Sequence, residues 1–185
     1  NVLFKNHVEV LRKYQEYFHY LLVDEYQDTN YSQYLIVKRL AEPENHICVV
    51  GDDAQSIYSF RGAKIENILS FQRDYPQAKV FKLEQNYRST QTIVDAANSV
   101  IDHNSRRLKK RCFSEGDTGE KIRIFKAYTD REEADLVVSD LRDRVREGGK
   151  EWSDAAILYR TNNQSQALEN ALRQRGIPYI IYKGS

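Results

Sequence analysis

Short apolar runs alternate along this chain with segments of helical periodicity, and this alternation constrains the fold more than any other feature. Residues 20–23 and 47–50 are two such runs, and a segment with helical spacing at residues 30–40 separates them. Short buried runs separated by helices are typical of a parallel sheet in an α/β protein. Both runs end in acidic residues, so we expect a polar site at the carboxyl ends of two neighbouring strands.

The same alternation predicts the remaining secondary structure. Helices are predicted over residues 8–18, 30–40, 64–73, 90–102, 129–148 and 165–175. Strands are predicted over residues 20–23, 47–50, 79–83, 121–127, 155–159 and 179–182. Asn30 with Gln33, and Thr129 with Glu132, have the spacing of capping boxes at two helix starts. The chain is therefore predicted to be α/β, with a hinge near residues 75–78.

The bulk composition excludes several classes of protein. Hydrophobic residues make up 41% of the 185 residues and charged residues 30%, which permits a packed core and argues against wholesale disorder. Lys and Arg total 28 against 27 for Asp and Glu, so a nucleic-acid site must come from local charge. No apolar run reaches the roughly 18 residues of a membrane span, and the two cysteines cannot build a disulfide framework. We therefore expect a cytoplasmic protein without a membrane partner.

Pairs of acidic residues follow the first two predicted strands: Asp24 with Glu25, and Asp52 with Asp53. One carboxylate of a pair could hold Mg²⁺, and the next could activate an attacking water. Acidic residues at such a junction also cap the following helix, and the residues alone leave both interpretations open. A metal-dependent nuclease built on these four carboxylates is a third interpretation. The four histidines show no metal-ligand spacing, so a zinc site is not expected.

Longer strings of residues surround these acids. They read LLVDEYQDTN at residues 21–30, VVGDDAQSIYSFRGA at 49–63 and LEQNYRS at 83–89, and a further string, AILYRTN, stands at 156–162. In this order and spacing they resemble the motifs of the UvrD/Rep/PcrA-like DNA helicases of superfamily 1, over nearly the whole chain. The resemblance implies a parallel-sheet P-loop NTPase fold of RecA-like type. It also implies a parent protein that couples ATP hydrolysis to translocation along single-stranded DNA and to unwinding of duplex junctions.

The first two strings would supply one side of a MgATP site, if the resemblance holds residue by residue. Asp24 would hold the Mg²⁺, and Glu25 would position and activate the hydrolytic water. Gln27 would belong to the nucleotide site, and Gln55 would contact the γ-phosphate and report its presence to the DNA site. Bonding of Gln55 to the backbone of its own loop is the alternative.

The third string would supply the opposite side of the nucleotide site. Tyr87 would stack on the adenine, and Arg88 would act as an arginine finger that neutralises charge during phosphoryl transfer. The alternatives are ordinary packing for Tyr87, and for Arg88 either capping of a helix or pairing with Glu84.

The resemblance also implies contacts with single-stranded DNA. Tyr58 and Phe60 would stack on bases, and Arg61 would meet a phosphate. Arg160 and Asn162 resemble a DNA-backbone contact of the second motor domain. The alternative for Phe60 is that it is an ordinary packing residue.

The chain also departs from the family pattern. Phe60 stands where Trp is common, and Ala54 where a third acidic residue is common. The sequence holds no Gly-x-x-x-x-Gly-Lys-Ser/Thr string and no Met, so we expect an excised piece that begins after the phosphate loop. Such a piece would hold residues 1–75 from a first RecA-like domain and 76–185 from a second. Alone, without the rest of the helicase chain, it would not hydrolyse ATP.

A function without catalysis stays open as well. A nucleic-acid-binding or interaction module derived from a helicase would keep the contacts of Tyr58, Phe60 and Arg61 without any dependence on nucleotide. The basic residues between 106 and 111 form either a solvated face or a further contact to phosphates.

Overall fold

The computed structural model describes residues 1–182, and the chain divides into two compact units. The first unit comprises Asn1–Lys121, and the second begins at Ile122. The domain boundary expected between residues 75 and 76 stays a prediction, because a compact unit of contacts and a motor domain of a family are different divisions of a chain.

The first unit combines short helices with a parallel sheet. Its strands are β1 (Leu21–Val23) and β2 (Ile47–Val49). Its helices are α1 (Val2–Asn6), α2 (Val8–Tyr17), α3 (Tyr31–Ala41), α4 (Glu66–Leu69), α5 (Phe71–Asp74) and α6 (Gln91–Ile101). Short 3₁₀ turns occupy Tyr26–Asp28, Asp53–Gln55 and Ser59–Arg61. The predicted α/β class is confirmed.

The two strands pair in parallel, in a register that sets Leu21 opposite Ile47. Helix α3 lies between them in the chain, as a parallel connection requires. Just beyond the strands, the Tyr26 N–H donates to the Val50 carbonyl at 3.0 Å. The acids that follow both strands therefore lie at the same edge of the sheet, as the sequence predicts.

The side chain of Tyr26 anchors the core of the first unit. It is 1% exposed, and its ring meets Phe71 edge-on with the ring centroids 5.7 Å apart. The Phe71 ring in turn lies 4.7 Å from that of Tyr75. Nearby, the Asn67 amide donates to the Thr29 carbonyl at 3.0 Å. These contacts hold the turn that follows β1 against α4 and α5.

The second unit is built on two helices, α7 (Asp130–Gly148) and α8 (Asn162–Gln174), which pack on each other. Its buried core comprises Ala134, Val138, Ala171, Leu172 and Ile177. Val138 is fully buried, and the partly buried Trp152 packs against the same cluster. No helix among residues 1–182 combines the length and hydropathy needed to cross a membrane.

Both predicted capping residues are confirmed. At the start of α3, Asn30 Oδ1 accepts from the Gln33 N–H and Gln33 Oε1 accepts from the Asn30 N–H, each at 2.9 Å. At the start of α7, Thr129 Oγ1 accepts from the Glu132 N–H at 3.1 Å, whereas Glu132 Oε2 accepts from the N–H of Tyr128 and not from that of Thr129, so the reciprocal half of the predicted box is not formed. Gly149 then ends α7 in the left-handed region, with φ of 62°, which glycine adopts without strain.

The single helix predicted over residues 64–73 is wrong, because the segment forms the two short helices α4 and α5. The break falls at Ser70, whose hydroxyl donates to the Glu66 carbonyl at 2.6 Å. A serine that bonds to the carbonyl four residues earlier bends a helix. Ser70 accordingly has φ of −97° and ψ of 2°, outside the helical region.

The predicted start of α8 at residue 165 is also wrong, since the helix begins at Asn162. Thr161 and Gln164 form a capping box, in which Gln164 Oε1 accepts from the Thr161 N–H at 3.0 Å. The Thr-x-x-Gln spacing was present in the sequence and predicts the correct start.

The strands predicted over residues 79–83, 121–127, 155–159 and 179–182 are wrong as well. A strand exists only as the hydrogen-bonded neighbour of another strand. Within residues 1–182, only β1 and β2 form such a ladder. Large side chains in the other runs stay in contact with solvent, as Leu83 at 84% and Leu158 at 93% exposure illustrate. Predicting strands from apolar runs alone therefore gave too many strands.

We predict that Val138→Ala destabilises the second unit by about 2 kcal/mol, because it removes two buried methyl groups and leaves a cavity. Urea unfolding followed by the fluorescence of Trp152, the single tryptophan of the chain, measures the change where it occurs. The matched control is Val100→Ala, since Val100 is also helical but 74% exposed. Equal midpoints for the two variants would show that Val138 is not part of a stabilising core.

Candidate functional site

The acids after β1 stand on a strained turn. Asp24 and Glu25 are both exposed, and the Glu25 N–H donates to Asp24 Oδ1 at 2.8 Å. Glu25 has φ of 48° and ψ of 43°, in the left-handed region that residues other than glycine rarely adopt. Such a conformation costs on the order of 1–3 kcal/mol and persists only where the surroundings hold it. The contacts of Gln27 provide this support.

The side chain of Gln27 joins the ends of the two strands. Its Nε2 donates to Glu25 Oε2 at 2.7 Å, and its Oε1 accepts from the Asp52 N–H at 3.0 Å. The residue is 1% exposed, so it acts on the site through its neighbours. Gly51 is required beside it, because a Cβ there would lie 2.6 Å from Gln27 Oε1.

The carboxylate of Asp52 extends this connection to Gln55. Its Oδ2 accepts from Gln55 Nε2 and its Oδ1 from the Ala54 N–H, each at 2.9 Å. Glu25, Gln27, Asp52 and Gln55 thus form a continuous hydrogen-bonded series, which we call the amide–carboxylate chain. It connects the predicted water-activating residue with the predicted γ-phosphate contact. The backbone bond by which Asp52 caps its own turn is also present, so capping and assembly of the site coexist.

The pKa values of two carboxyl groups are shifted in opposite directions, one in the amide–carboxylate chain (Asp52) and one near it (Asp28). Burial raises the pKa of Asp52, but hydrogen bonds from Lys110, Gln55 and a backbone N–H outweigh it and hold the pKa below its ordinary value. Asp52 is therefore a carboxylate, as its acceptor role requires. Burial, reinforced by the charge of Glu25, raises the pKa of Asp28, one of whose oxygens is buried without a hydrogen-bond partner.

Residues 106–111, which we call the basic segment, also belong to the site, and sequence reasoning did not place them there. Lys110 Nζ lies 2.5 Å from Asp52 Oδ1 and 3.8 Å from Asp53 Oδ1. The Leu108 N–H donates to Asp53 Oδ2 at 2.7 Å. The density of basic residues was the only signal in the sequence, and it did not indicate which carboxylates they bind.

The Gln-Asn-Tyr-Arg-Ser string forms an exposed loop shaped by Asn86. Asn86 Oδ1 accepts from the N–H groups of Arg88 and Ser89, at 3.0 and 2.8 Å. Tyr87 is 85% exposed, which excludes core packing, and its hydroxyl donates to Gln85 Oε1 at 2.8 Å. The loop borders an open depression of about 280 Å³, lined by residues 85–90 and 114–117. Sequence reasoning did not identify the second of these two stretches.

Tyr58, Phe60 and Arg61 lie together on the first unit. The guanidinium carbon of Arg61 is 5.2 Å from the centroid of the Tyr58 ring and 5.6 Å from that of Phe60. The two rings are 5.9 Å apart and tilted by 47°. Phe60 is 72% exposed, so its face is accessible to a stacking partner. The structure therefore brings together the three residues that the sequence predicts to contact DNA.

Arg160 and Asn162 lie in the second unit, at the start of α8. Both side chains are exposed, and the Arg160 N–H donates to Gln164 Oε1 at 2.9 Å. The capping box fixes the backbone on which the two residues are presented.

The residues after β1 also fit a magnesium ion. In nucleotide sites Mg²⁺ is bound by one or two carboxylates together with phosphate oxygens and water, and not by a cage of protein ligands. Asp24 is an exposed carboxylate beside Glu25, which meets this need. Among residues 1–182 no group of three or more side chains is arranged to hold a metal ion unaided.

Comparison with known proteins finds two family matches and close relatives. The UvrD/REP helicase N-terminal domain matches residues 1–76, and the UvrD-like helicase C-terminal domain matches residues 81–185. The ATP-dependent DNA helicase PcrA of Staphylococcus epidermidis RP62A is 51% identical over 182 residues, 98% of this chain and 25% of the relative. The PcrA of Staphylococcus aureus Mu50 is 50% identical over the same shares.

The chain thus spans about a quarter of the length of the curated relatives it matches. The C-terminal family model alone covers more than half of the chain, and the N-terminal model covers most of the remainder. These matches confirm the RecA-like fold class that the motif strings predicted. On this evidence the chain belongs to the UvrD-like helicase family.

Proposed function

We propose that this chain supplies part of the ATP-hydrolysing and DNA-binding machinery of an ATP-dependent DNA helicase. The amide–carboxylate chain is the observation that carries the proposal, because it links Glu25 to Gln55 by contacts of 2.7–3.0 Å. The PcrA relatives are named ATP-dependent DNA helicases, which supports the same conclusion. We further propose a cytoplasmic location and, as partners, single-stranded DNA, duplex junctions and the other parts of a helicase motor.

Hydrolysis would begin at Glu25. Gln27 holds Glu25 Oε2 at 2.7 Å, so the other carboxylate oxygen is the one that would orient the attacking water and accept its proton. Gln27 would serve the nucleotide site through this contact, because its own side chain is buried. Bound Mg²⁺, held by Asp24, would offset the charge of the phosphate oxygens.

Gln55 and the exposed loop would complete the nucleotide site. The Gln55 amide carries two N–H hydrogens, and Asp52 accepts one, so the second would donate to the γ-phosphate. Arg88 would neutralise the charge that develops during phosphoryl transfer. Tyr87 would stack on adenine with its exposed ring.

Binding of DNA would rest on the cluster of Tyr58, Phe60 and Arg61. Exposed aromatic faces stack on bases of any sequence, and a guanidinium beside them meets the backbone phosphates. Arg160 and Asn162 would add a second contact to the DNA backbone.

We assign residues 1–75 to a first RecA-like domain and residues 76–185 to a second. The family matches at residues 1–76 and 81–185 support this division. Glu25 and Gln55 would then face Tyr87 and Arg88 across the nucleotide. Because the arginine would be in place only when the two sides close on ATP, hydrolysis would be coupled to movement along the strand.

We predict that the 185-residue chain binds a fluorescein-labelled oligo-dT and that Phe60→Ala weakens the binding. Loss of one stacked base costs about 1–3 kcal/mol, or roughly 5- to 150-fold in affinity. Fluorescence anisotropy over a salt series measures both the affinity for the oligonucleotide and the slope of log affinity against log salt concentration. Arg61→Gln should lower the salt slope by about one phosphate contact.

The matched control for this experiment is Phe81→Ala. Phe81 is 80% exposed, close to the 72% of Phe60, but lies outside the aromatic cluster. Equal loss of affinity in both phenylalanine variants, or no binding at low salt, would contradict the assigned DNA contact.

We predict that Glu25→Gln strongly lowers the rate of ATP turnover while ATP still binds. The 185-residue sequence holds no phosphate-loop string, and we expect no turnover from it alone. The measurement therefore uses a chimera in which the chain replaces the matching quarter of the S. epidermidis PcrA. Removal of the general base should reduce DNA-stimulated hydrolysis by roughly 10²- to 10⁴-fold.

Glu44→Gln is the matched control, because Glu44 is an exposed glutamate outside the site. Full activity in Glu25→Gln would disprove the assigned role. A chimera that binds DNA through Phe60 but hydrolyses no ATP in unsubstituted form would favour the alternative function, a nucleic-acid-binding module without ATPase activity.

A further inference from the structure

The basic segment contacts the two acidic residues that follow β2 and a glutamate of α4. Lys110 Nζ contacts Asp52 Oδ1 at 2.5 Å, and the Leu108 N–H meets Asp53 Oδ2 at 2.7 Å. Arg106 pairs with Glu66 of α4 at 2.6 Å. A segment that the sequence left open as a solvated face is therefore held at three successive alternate positions.

Helix α6 fixes the other end of the basic segment. The Asn98 amide donates to the Cys112 carbonyl at 2.7 Å and accepts from the Cys112 N–H at 3.2 Å. Asn98 is only 9% exposed, so this pair is protected from competing water. Lys110 is thus set on a backbone anchored at Leu108 and again at Cys112, which limits the positions its ammonium can reach.

Charge explains why a lysine is needed at this position. Asp53 has a side chain only 4% exposed, and Asp52 stands next to it at 30%. A buried carboxylate is costly unless a cation and hydrogen bonds compensate it. Lys110 lies within 4 Å of both carboxylates, and its own side chain is only 22% exposed.

The two oxygens of Asp52 have different partners. Oδ1 accepts from Lys110 Nζ and from the Ala54 N–H, whereas Oδ2 accepts from Gln55 Nε2. Two donors on Oδ1 restrain rotation of the carboxylate about its Cβ–Cγ bond. The two contacts favour one direction for Oδ2, and Gln55 Nε2 donates to this oxygen at 2.9 Å.

We propose that Lys110 is a positioning residue for Gln55, acting through the carboxylate of Asp52. An effect of Lys110 on ATP hydrolysis rests on the proposed function, in which the second N–H of the Gln55 amide donates to the γ-phosphate. Lys110 lies in the stretch matched by the C-terminal family domain, and Asp52 and Gln55 in that matched by the N-terminal one. The contact therefore makes the placement of the phosphate-contacting amide depend on the neighbouring half of the motor.

The test follows the side-chain amide of Gln55 by NMR in the ¹⁵N-labelled 185-residue chain. The two N–H resonances are assigned with Gln55→Glu. In Lys110→Gln we expect both resonances to move towards the values of a free glutamine. The Ala54 N–H, bound to the same carboxylate, should exchange with solvent roughly fivefold faster.

Three further variants separate positioning from general stability. Lys110→Arg retains the cation and should restore the Gln55 resonances, whereas Lys109→Gln, at the neighbouring exposed lysine, should leave them unchanged. Asp52→Asn should move the Gln55 resonances and should also weaken the contact of Lys110, whose ammonium binds the same carboxylate. Adding Lys110→Gln to Asp52→Asn should then have little further effect on Gln55, because the intermediary is already altered.

The outcomes distinguish this inference from the proposed function. The positioning role would be disproved if the Gln55 resonances did not move in Lys110→Gln, or if Lys110→Arg did not restore them. This conclusion would hold whether or not the chimera hydrolyses ATP. Gln55 resonances that follow Lys110 and Asp52 support it. If the unsubstituted chimera hydrolyses no ATP, the proposed function fails while the contact between Lys110, Asp52 and Gln55 stands.

Discussion

The positions of the acidic residues after β1 and β2 depend on the two hydrogen bonds made by the buried side chain of Gln27. It donates to Glu25 beyond β1 and accepts from the backbone of Asp52 beyond β2, so it holds the two acidic turns at one spacing. A buried amide group left without a hydrogen-bond partner costs about 1–3 kcal/mol. A shift in the pairing of β1 with β2 would break both contacts of Gln27, so these contacts favour the native register. Gly51 is part of the same constraint, since a Cβ there would collide with the Gln27 amide oxygen.

This support also accounts for the strained backbone of Glu25. A non-glycine residue with φ of 48° needs surroundings that hold it, and the bond from Gln27 Nε2 to Glu25 Oε2 supplies one. The carboxylate that would activate water is therefore fixed before any substrate arrives. Preorganised groups act in catalysis without having to be reordered during the reaction. The strained backbone and the proposed catalytic role thus belong to the same residue, Glu25.

The sequence predicted best those features that depend on neighbours along the chain. The capping box of Asn30 and the strand-end acids were predictable because three or four residues define each. The sheet was overestimated because a ladder needs a distant partner. The contact of Lys110 with Asp52 joins residues 58 positions apart, which no local pattern can specify. The bend at Ser70 depends on the hydrogen bond from its hydroxyl to the Glu66 carbonyl, and the composition of the segment does not predict that bond.

The spacing between the residues proposed to contact nucleotide and DNA would give their coupling a physical basis. The turn containing Gln55 ends at that residue, and the turn that presents Phe60 and Arg61 begins at Ser59. Gln55 and Ser59 are joined by four Cα–Cα steps, which span at most about 14 Å, so the two turns cannot move far apart. Asp52 holds Gln55 on one side, and Arg61 packs on the ring of Tyr58 on the other. A displacement at the proposed phosphate contact would therefore act on the aromatic cluster through this short segment.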